Sequence, residues 1–237
     1  IDKWYALANA TAGGSTGTTS TSETTRTNSY KSNATGEVSE KTKFYINDIN
    51  SDPIEIYIDG QLTSDSYVDK NGITKTNLVK VEIGKKVEKI SSQAFRDCKN
   101  LTSVTIGDSV TSIDWSAFSN CTKLKSVTFD GTSQVASIGD RAFESCSALQ
   151  SLTIPDSVTS IGYFAFRNCS KLQSVTIPNS VMSIGDSTFR NCKSLESVTI
   201  PNSVMSIGDD AFADCYILES VTIGNSVTSI GFNAFSE

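Results

Sequence analysis

The chain contains 237 residues, carries a formal net charge of −6 and has no histidine. The lack of histidine excludes Ser-His-Asp triads, Cys-His dyads and histidine-bound zinc. The net negative charge and the lack of a basic cluster argue against a nucleic-acid partner. The sequence also has no stretch of about eighteen apolar residues that could span a membrane.

The first 42 residues divide into two segments of different composition. In residues 1–10, Ile1, Trp4 and Tyr5 follow helical spacing, which predicts either a short docking peptide or a frayed terminus. Residues 11–42 are rich in Ser, Thr and Gly. They bury too little apolar surface to offset their backbone entropy, so we predict a linker or stalk.

Residues 43–77 predict a β-rich N-terminal cap for the domain that follows. Ile54, Ile56 and Ile58 alternate with other residues, as in a strand. The pairs Asp59-Gly60 and Asn71-Gly72 have the composition of turns.

From residue 78 to residue 237 the sequence repeats with a period of 23 residues, broken once by an interval of 25. Such a period predicts a solenoid, in which each coil packs only on its neighbours. We therefore expect an α/β-type solenoid of parallel strands and short helical or 3₁₀ turns, with six full coils and a partial seventh. The isoleucine markers are Ile90, Ile113, Ile138, Ile161, Ile184, Ile207 and Ile230, and the phenylalanines that follow them are Phe95, Phe118, Phe143, Phe166, Phe189, Phe212 and Phe235.

The coil that begins at Leu172 shows how one repeat is expected to fold. Leu172, Val175 and Ile177 have the spacing of inward side chains on a short strand. Phe189 and Cys192 lie three residues apart, which suits one helical or 3₁₀ turn. Stacked at about 4.8 Å per coil, these side chains would form continuous aliphatic, phenylalanine and cysteine columns in the core.

Six cysteines recur in register and could be disulfide partners or buried free thiols. Equivalent Cβ atoms on adjacent coils would lie about 4.8 Å apart, whereas a bridge prefers roughly 3.8 Å, so we favour free thiols in the core. No second ligand type recurs beside them, and no metal or cofactor is expected. These residues are Cys98, Cys121, Cys146, Cys169, Cys192 and Cys215.

The pattern L-x-S-V-T-I-P-x-S-V-x-S-I-G-x-x-x-F-x-x-C resembles the BspA-like leucine-rich repeats of bacterial and protist surface proteins. The resemblance covers residues 78–237 and departs from the pattern at residues 130–135, where two extra residues predict a local bulge. It implies a secreted or surface-exposed leucine-rich repeat protein that binds other macromolecules.

Two rows of outward positions are candidate partner-binding surfaces. The strand positions repeat Ser and Thr, which either simply suit an exposed strand or form a hydroxyl-rich face for a protein or glycan. Ahead of the repeated phenylalanine, some coils carry aromatic residues that either bind a partner or pack over the turn. The threonines are Thr105, Thr128, Thr153, Thr176, Thr199 and Thr222, and the aromatic residues are Trp115, Tyr163, Phe164 and Phe232.

Acidic residues follow several glycine turns, at Asp140, Asp186, Asp209 and Asp210. We expect them to supply surface charge and to cap helical turns rather than to perform acid–base catalysis. The sequence shows no nucleophile with a base and no phosphate-binding glycine loop, so we predict that the chain is not an enzyme.

The seventh coil stops at residue 237, before its cysteine position, and no polar cap is visible there. We expect either continuation of the natural chain or self-association through this open coil or through residues 1–42. The main functional hypothesis is a non-enzymatic adhesion or host-interaction module, extracellular or on the cell surface. The alternative is a fibre or decoration protein of a virion or extracellular filament, with residues 1–42 as its anchor and stalk.

Overall fold

A computed structural model describes residues 40–46 and 52–237. The docking peptide predicted at residues 1–10 and most of the linker predicted at residues 11–42 lie outside these ranges. Within them, the only helix is a single 3₁₀ turn, Ser64–Ser66, so no described helix is long and apolar enough to cross a bilayer.

The repeats form coils that each contribute one strand to each of two parallel lines of strands, which confirms the predicted solenoid. In chain order the strands are β1 (Thr42–Ile46), β2 (Ile54–Ile56), β3 (Gly60–Leu62), β4 (Leu78–Glu82), β5 (Val87–Ile90), β6 (Ser103–Ile106), β7 (Ser112–Ile113), β8 (Ser126–Phe129), β9 (Ser137–Ile138), β10 (Ser151–Thr153), β11 (Ser160–Ile161), β12 (Ser174–Thr176), β13 (Ser183–Ile184), β14 (Ser197–Ile200), β15 (Ser206–Ile207), β16 (Ser220–Ile223) and β17 (Ser229–Ile230). We call the line of β4 and the even-numbered strands after it the first sheet, and the line of β3 and the odd-numbered strands after it the second sheet. The strand ladder is interrupted between β8 and β10 and between β12 and β14 in the first sheet, and between β11 and β13 in the second.

The first-sheet strands follow from the Ser-Val-Thr pattern of each repeat. Their central Val or Leu points into the core while the flanking Ser and Thr point out, because successive strand side chains alternate between faces. In β12, for example, Val175 is buried and pairs with Leu152 of β10, the residue 23 positions earlier. Equivalent residues therefore stack directly on one another from coil to coil.

The N-terminal strands cover the first edge of the solenoid. β1 pairs antiparallel with both β2 and β4, whereas β3 pairs parallel with β5 and begins the second sheet. The first strand begins at Thr42, whereas the predicted cap begins at residue 43. Thr42 is fully buried, and its hydroxyl accepts a hydrogen bond from the Gly84 amide at 3.1 Å.

An unbroken stack of nine aromatic rings runs through the core. Neighbouring ring centroids are 5.0–5.5 Å apart, and the planes of consecutive phenylalanines differ by at most 12°. The coils therefore keep their register along the whole repeat region. The rings belong, in order, to Phe44, Tyr67, Phe95, Phe118, Phe143, Phe166, Phe189, Phe212 and Phe235.

The turn that carries each phenylalanine and cysteine is not helical, which corrects the expected helical or 3₁₀ turns. In one coil Ser187 and Asn191 have φ of 53° and 63°. The Cys192 amide bonds back to Phe189 O at 3.2 Å, as a 3₁₀ turn would, but the amides of Ser187, Phe189 and Asn191 donate to the next coil. The turn therefore adds a third line of bonds between coils.

The two extra residues of the third coil are accommodated in the loop after β8. Gly131 adopts a φ of 52°, and its amide donates to Asp130 Oδ1 at 3.0 Å. Val135 returns to the core with no exposed surface, and β9 pairs in register with β7 beyond the loop. The stacked columns are thus continuous on both sides of the insertion.

Candidate functional site

The six cysteines form a buried column beside the ring stack, and all are free. From Cys121 onward, each thiol donates to the carbonyl of a phenylalanine one coil earlier, at 3.1–3.4 Å. Burial raises the pKa of Cys169 to about 12 and the pKa of Cys98 and of Cys215 to about 11. Because a thiolate is the reactive form, this column is a structural element and not a nucleophilic site.

Tyr67 lies above the columns at the cap, and the repeat pattern did not reveal it. Its ring stacks between Phe44 and Phe95, and its hydroxyl donates to Ala94 O at 2.6 Å and lies 3.5 Å from Cys98 Sγ. Burial raises its pKa above the ordinary value. One tyrosine thus covers both the ring stack and the cysteine column. The sequence signal was weak, because Tyr67 precedes the first repeat.

The solvent-side threonines of the first sheet form a surface that we call the threonine face. All are exposed except Thr105, which is half-buried and accepts a hydrogen bond from the Thr128 hydroxyl at 3.2 Å. Among the described residues, none bonds to the hydroxyls of the other four, so these remain available to a partner. The members are Thr105, Thr128, Thr153, Thr176, Thr199 and Thr222.

Two open grooves border the threonine face. One, of about 650 Å³, lies between β8, β10 and the inserted loop at residues 131–133. The other, of about 680 Å³, runs across β12, β14 and β16 beside Asn179, Asn202 and Asn225. Both grooves are open to solvent, and the polar groups in their linings are mainly hydroxyls and amides. An open groove suits an extended partner better than an enclosed small molecule.

A second line of residues lies two positions after the second-sheet isoleucine of each coil from Ile113 onward, and we call it the turn row. The carbonyl of each member accepts an amide from the preceding coil at 2.8–3.1 Å. These bonds fix the spacing of the row to that of the coils. Its members are Trp115, Asp140, Tyr163, Asp186, Asp209 and Phe232.

The three aspartates of the turn row cap backbone amides of the next coil, not the helical turns that the sequence analysis expected. Asp140 Oδ1 accepts the Tyr163 amide at 2.8 Å, and Asp186 Oδ1 accepts the Asp209 amide at 3.0 Å. A Cβ at Gly208 would lie 2.4 Å from Asp186 Oδ1, so glycine is needed where the carboxylate crosses the coil. Asp210 differs, since it pairs with Arg190 at 3.1 Å.

Three of the four predicted aromatic candidates lie in the turn row and face solvent. Trp115, Tyr163 and Phe232 are 44%, 52% and 77% exposed. Phe164 instead lies against two guanidinium groups, with its ring centroid 4.7 Å from Cζ of Arg141 and 5.5 Å from Cζ of Arg167. Phe164 thus packs over the turn.

The strands, the ring stack and the turn row recur in the same register from coil to coil, and this regularity agrees with a repeat family. Residues 66–135 and 130–237 match the family model described as the BspA type leucine-rich repeat region, in six copies. The chain belongs to this family.

Solved structures of bacterial leucine-rich repeat proteins are similar to the chain. One from Bacteroides ovatus is 28% identical, with a TM-score of 0.64 over 78% of this chain and 46% of that protein. The Treponema pallidum protein TpLRR is 32% identical, with a TM-score of 0.60 over 66% and 74% of the two chains. A leucine-rich cell surface protein from Faecalibacterium prausnitzii is 38% identical, with a TM-score of 0.60 over 72% and 52%.

The chain spans about half the length of the Bacteroides and Faecalibacterium proteins. No curated protein matches it.

Proposed function

We propose that this chain is a non-enzymatic leucine-rich repeat module, secreted or displayed on a cell surface, that adheres to macromolecules of a host cell or extracellular matrix. The observation that carries the proposal is the exposure of Trp115, Tyr163 and Phe232 at positions where the other members of the turn row are aspartates. The fold does not need rings there, and exposed aromatic residues are common anchors of binding interfaces.

The comparison with other proteins supports the proposed location. The Faecalibacterium prausnitzii protein, at 38% identity, is described as a cell surface protein. The open threonine face and the turn row also give the module two long lateral surfaces, as expected for a solenoid that binds extended partners.

The proposed function is non-enzymatic because the groups available for chemistry are occupied or dispersed. The thiols are buried and protonated, and the turn-row aspartates repeat along an open surface instead of converging in a cleft. Within residues 40–46 and 52–237, no three His, Cys, Asp or Glu side chains gather as metal ligands. The fibre alternative depends on residues 1–42, most of which lie outside the described ranges, and we do not propose it.

Cell binding tests the proposal directly. The full chain, labelled with a fluorophore, is incubated with epithelial cells and, separately, with plates coated with their extracellular matrix. We expect saturable binding that unlabelled chain displaces. A triple variant, Trp115→Ser, Tyr163→Ser and Phe232→Ser, should lose most of this binding while its melting temperature stays close to that of the parent.

The matched control removes equally exposed apolar side chains from a different edge of the coils. Tyr216 and Ile217 are 53% and 45% exposed, and the double variant Tyr216→Ser and Ile217→Ser should bind as the parent does. Equal loss in both variants, or no saturable binding to cells or matrix by the parent, would contradict the proposed function.

A further inference from the structure

The turn row has a spacing that matters for the class of partner. The two steps of the ring stack between the coils of Trp115 and Tyr163 are 5.2 and 5.5 Å, so these two residues stand roughly 11 Å apart along the solenoid. Asp140 lies at the coil between them. The row therefore presents two aromatic side chains with a carboxylate midway.

The aspartates of the row keep one oxygen free. Asp140, Asp186 and Asp209 each use Oδ1 to accept a backbone amide. In the part of the chain that the structure describes, none of the three forms an ion pair, and Oδ2 has no partner. The free oxygens are strong acceptors for ligand hydroxyl groups.

A shallow groove continues the row toward the last coil. It has a volume of about 360 Å³, with Tyr163 at one end, and its lining includes Gly185, Gly208 and Gly231 as well as Asp186 and Asp209. The glycines make room for the neighbouring coil, since an added Cβ at Gly208 would meet Asp186 Oδ1 at 2.4 Å. The groove thus exposes the turn-row aspartates themselves to a chain-like ligand. The Tyr163 ring extends over Gly185, where an added Cβ would come within 3.2 Å of the ring.

We propose that the turn row binds an extended, uncharged β-1,4-linked polysaccharide that lies along the solenoid axis. One pyranose unit of such a glycan is about as long as one coil, and alternate units present the same face. Sugars two units apart can therefore stack on Trp115 and Tyr163 while the unit between them donates hydroxyl hydrogens to Asp140. This inference rests on the proposed function and assigns it a ligand class.

Charge selects against the other chain-like ligands. The unpaired carboxylates of the row and the net charge of −6 repel sulfated or uronic-acid glycans. A lysine-rich peptide would also pair with the carboxylates and place ammonium groups on the rings, but its flexible side chains do not present flat faces at the fixed spacing of two coils. The backbone bonds along the row hold the backbone that carries the rings in place before binding, which lowers the entropy cost of association.

Calorimetric titration of the full chain with defined oligosaccharides tests the inference. The probes are cellohexaose and chitohexaose, with maltohexaose as the α-linked control and a lysine-rich hexapeptide as the cationic control. We expect at least one β-linked hexamer to bind and both controls to fail. A trisaccharide is the shortest ligand that reaches both rings, so affinity should rise sharply between the disaccharide and the trisaccharide.

Single variants identify the contacts. Trp115→Ala and Tyr163→Ala should each weaken hexamer binding by at least tenfold. Asp140→Asn preserves the Oδ1 acceptor for the Tyr163 amide but replaces the free oxygen with an amide group, and it should weaken binding several-fold without a change in melting temperature. Tyr216→Ala is the control and should bind as the parent does.

The possible outcomes separate this inference from the proposed function. If no β-linked hexamer binds, if the peptide binds instead, or if the ring variants bind as the parent does, the glycan assignment is wrong. Saturable cell binding that cellohexaose and chitohexaose do not displace would leave the proposed function standing without this ligand. Oligosaccharide binding without binding to cells or matrix would support the glycan site and reject the adhesive role.

Discussion

Each repeated phenylalanine from Phe95 to Phe212 stabilises two coil interfaces, because its ring stacks on the rings above and below it. Phe166, for example, has no exposed surface and lies 5.5 and 5.4 Å from its two neighbours. Stacked rings contribute roughly 0.5–1.5 kcal/mol beyond the area that they bury. Loss of one inner ring should therefore weaken both neighbouring interfaces.

Replacement of Phe166 by alanine should lower the free energy of unfolding by about 3–5 kcal/mol, since it leaves a cavity within the stack. Urea denaturation followed by circular dichroism measures this change. Phe232→Ala makes the same chemical change at a ring that is 77% exposed, and its stability should stay within about 0.5 kcal/mol of the parent. Equal effects of the two substitutions would show that the stack is not the source of stability.

Because the thiols are buried, the free energy of unfolding should depend on pH in the alkaline range. Burial raises the pKa of Cys169 from 9.0 to about 12. Below pH 9 both the folded and unfolded chains keep the thiol proton, so the pH has no effect through this group. Above pH 9 the unfolded chain releases protons that the folded chain retains, and stability should fall by up to about 1.4 kcal/mol per pH unit for each such thiol.

The double variant Cys169→Ala and Cys192→Ala tests this linkage. At pH 7.5 it should be less stable than the parent because it loses core packing. Between pH 9 and pH 10.5 under reducing conditions, the difference in unfolding free energy should narrow, since the parent alone has these two thiols to ionise. Parallel decline of the two proteins would contradict the raised pKa values.

At the residue scale, positions that carry the same side chain in every coil could be predicted from the sequence, whereas positions with mixed side chains could not. The phenylalanine and cysteine columns follow from identical side chains at a fixed interval. The left-handed backbone at Ser187 could not be read in this way, because the equivalent residues in other coils include Arg141 and Phe164. At Asn191 a signal was present and was not used, since the equivalent residues are mostly Asn or Asp, which favour positive φ. What these positions share is the absence of a β-branched side chain, which would be strained at positive φ.

At the scale of elements, the cap works because one side chain completes two columns. Tyr67 supplies a ring to the stack and, through its hydroxyl, a hydrogen bond to Ala94 O beside Cys98. The strands of the second sheet instead depend on the strands beside them. Strands such as Ser206–Ile207 have two residues, too few for an alternating pattern, and form because an equivalent strand pairs on either side.

Tyr67→Phe should destabilise the protein by about 1–3 kcal/mol, because the ring remains while the buried Ala94 carbonyl loses its donor. Thermal denaturation of the full chain provides the measurement. Tyr57→Phe removes a hydroxyl from a ring that is 44% exposed, and it should leave the melting temperature unchanged. If Tyr67→Phe melts with the parent, the hydroxyl has no role in the cap.

At the scale of the whole molecule, stability is the sum of nearly equal contacts between neighbouring coils. Within residues 40–46 and 52–237, the coil that contains β16 and β17 packs on a neighbouring coil on one side, and its core residues show the difference. Ile223 and Ile230 are 41% and 51% exposed, whereas their counterparts Ile200 and Ile207 are 1% and 2% exposed.

Hydrogen exchange should follow this difference in burial. Amides of residues 220–230 should exchange faster than those of residues 197–207, although the two segments have nearly the same sequence. Mass spectrometry of peptides from these segments, at two protein concentrations, gives the comparison. Equal protection at both concentrations would contradict it, and protection that increases with concentration would reveal association through the last coil.

The uniform register also bears on how such a chain changes in length over generations. Ser183 pairs with Ser206, and Ser206 with Ser229, each 23 residues further on. Deletion or duplication of one complete unit by slippage in the gene leaves every remaining interface with a compatible partner. Coil number can therefore vary between strains without redesign of the core, and the reach of the molecule becomes a heritable quantity set in steps of one repeat.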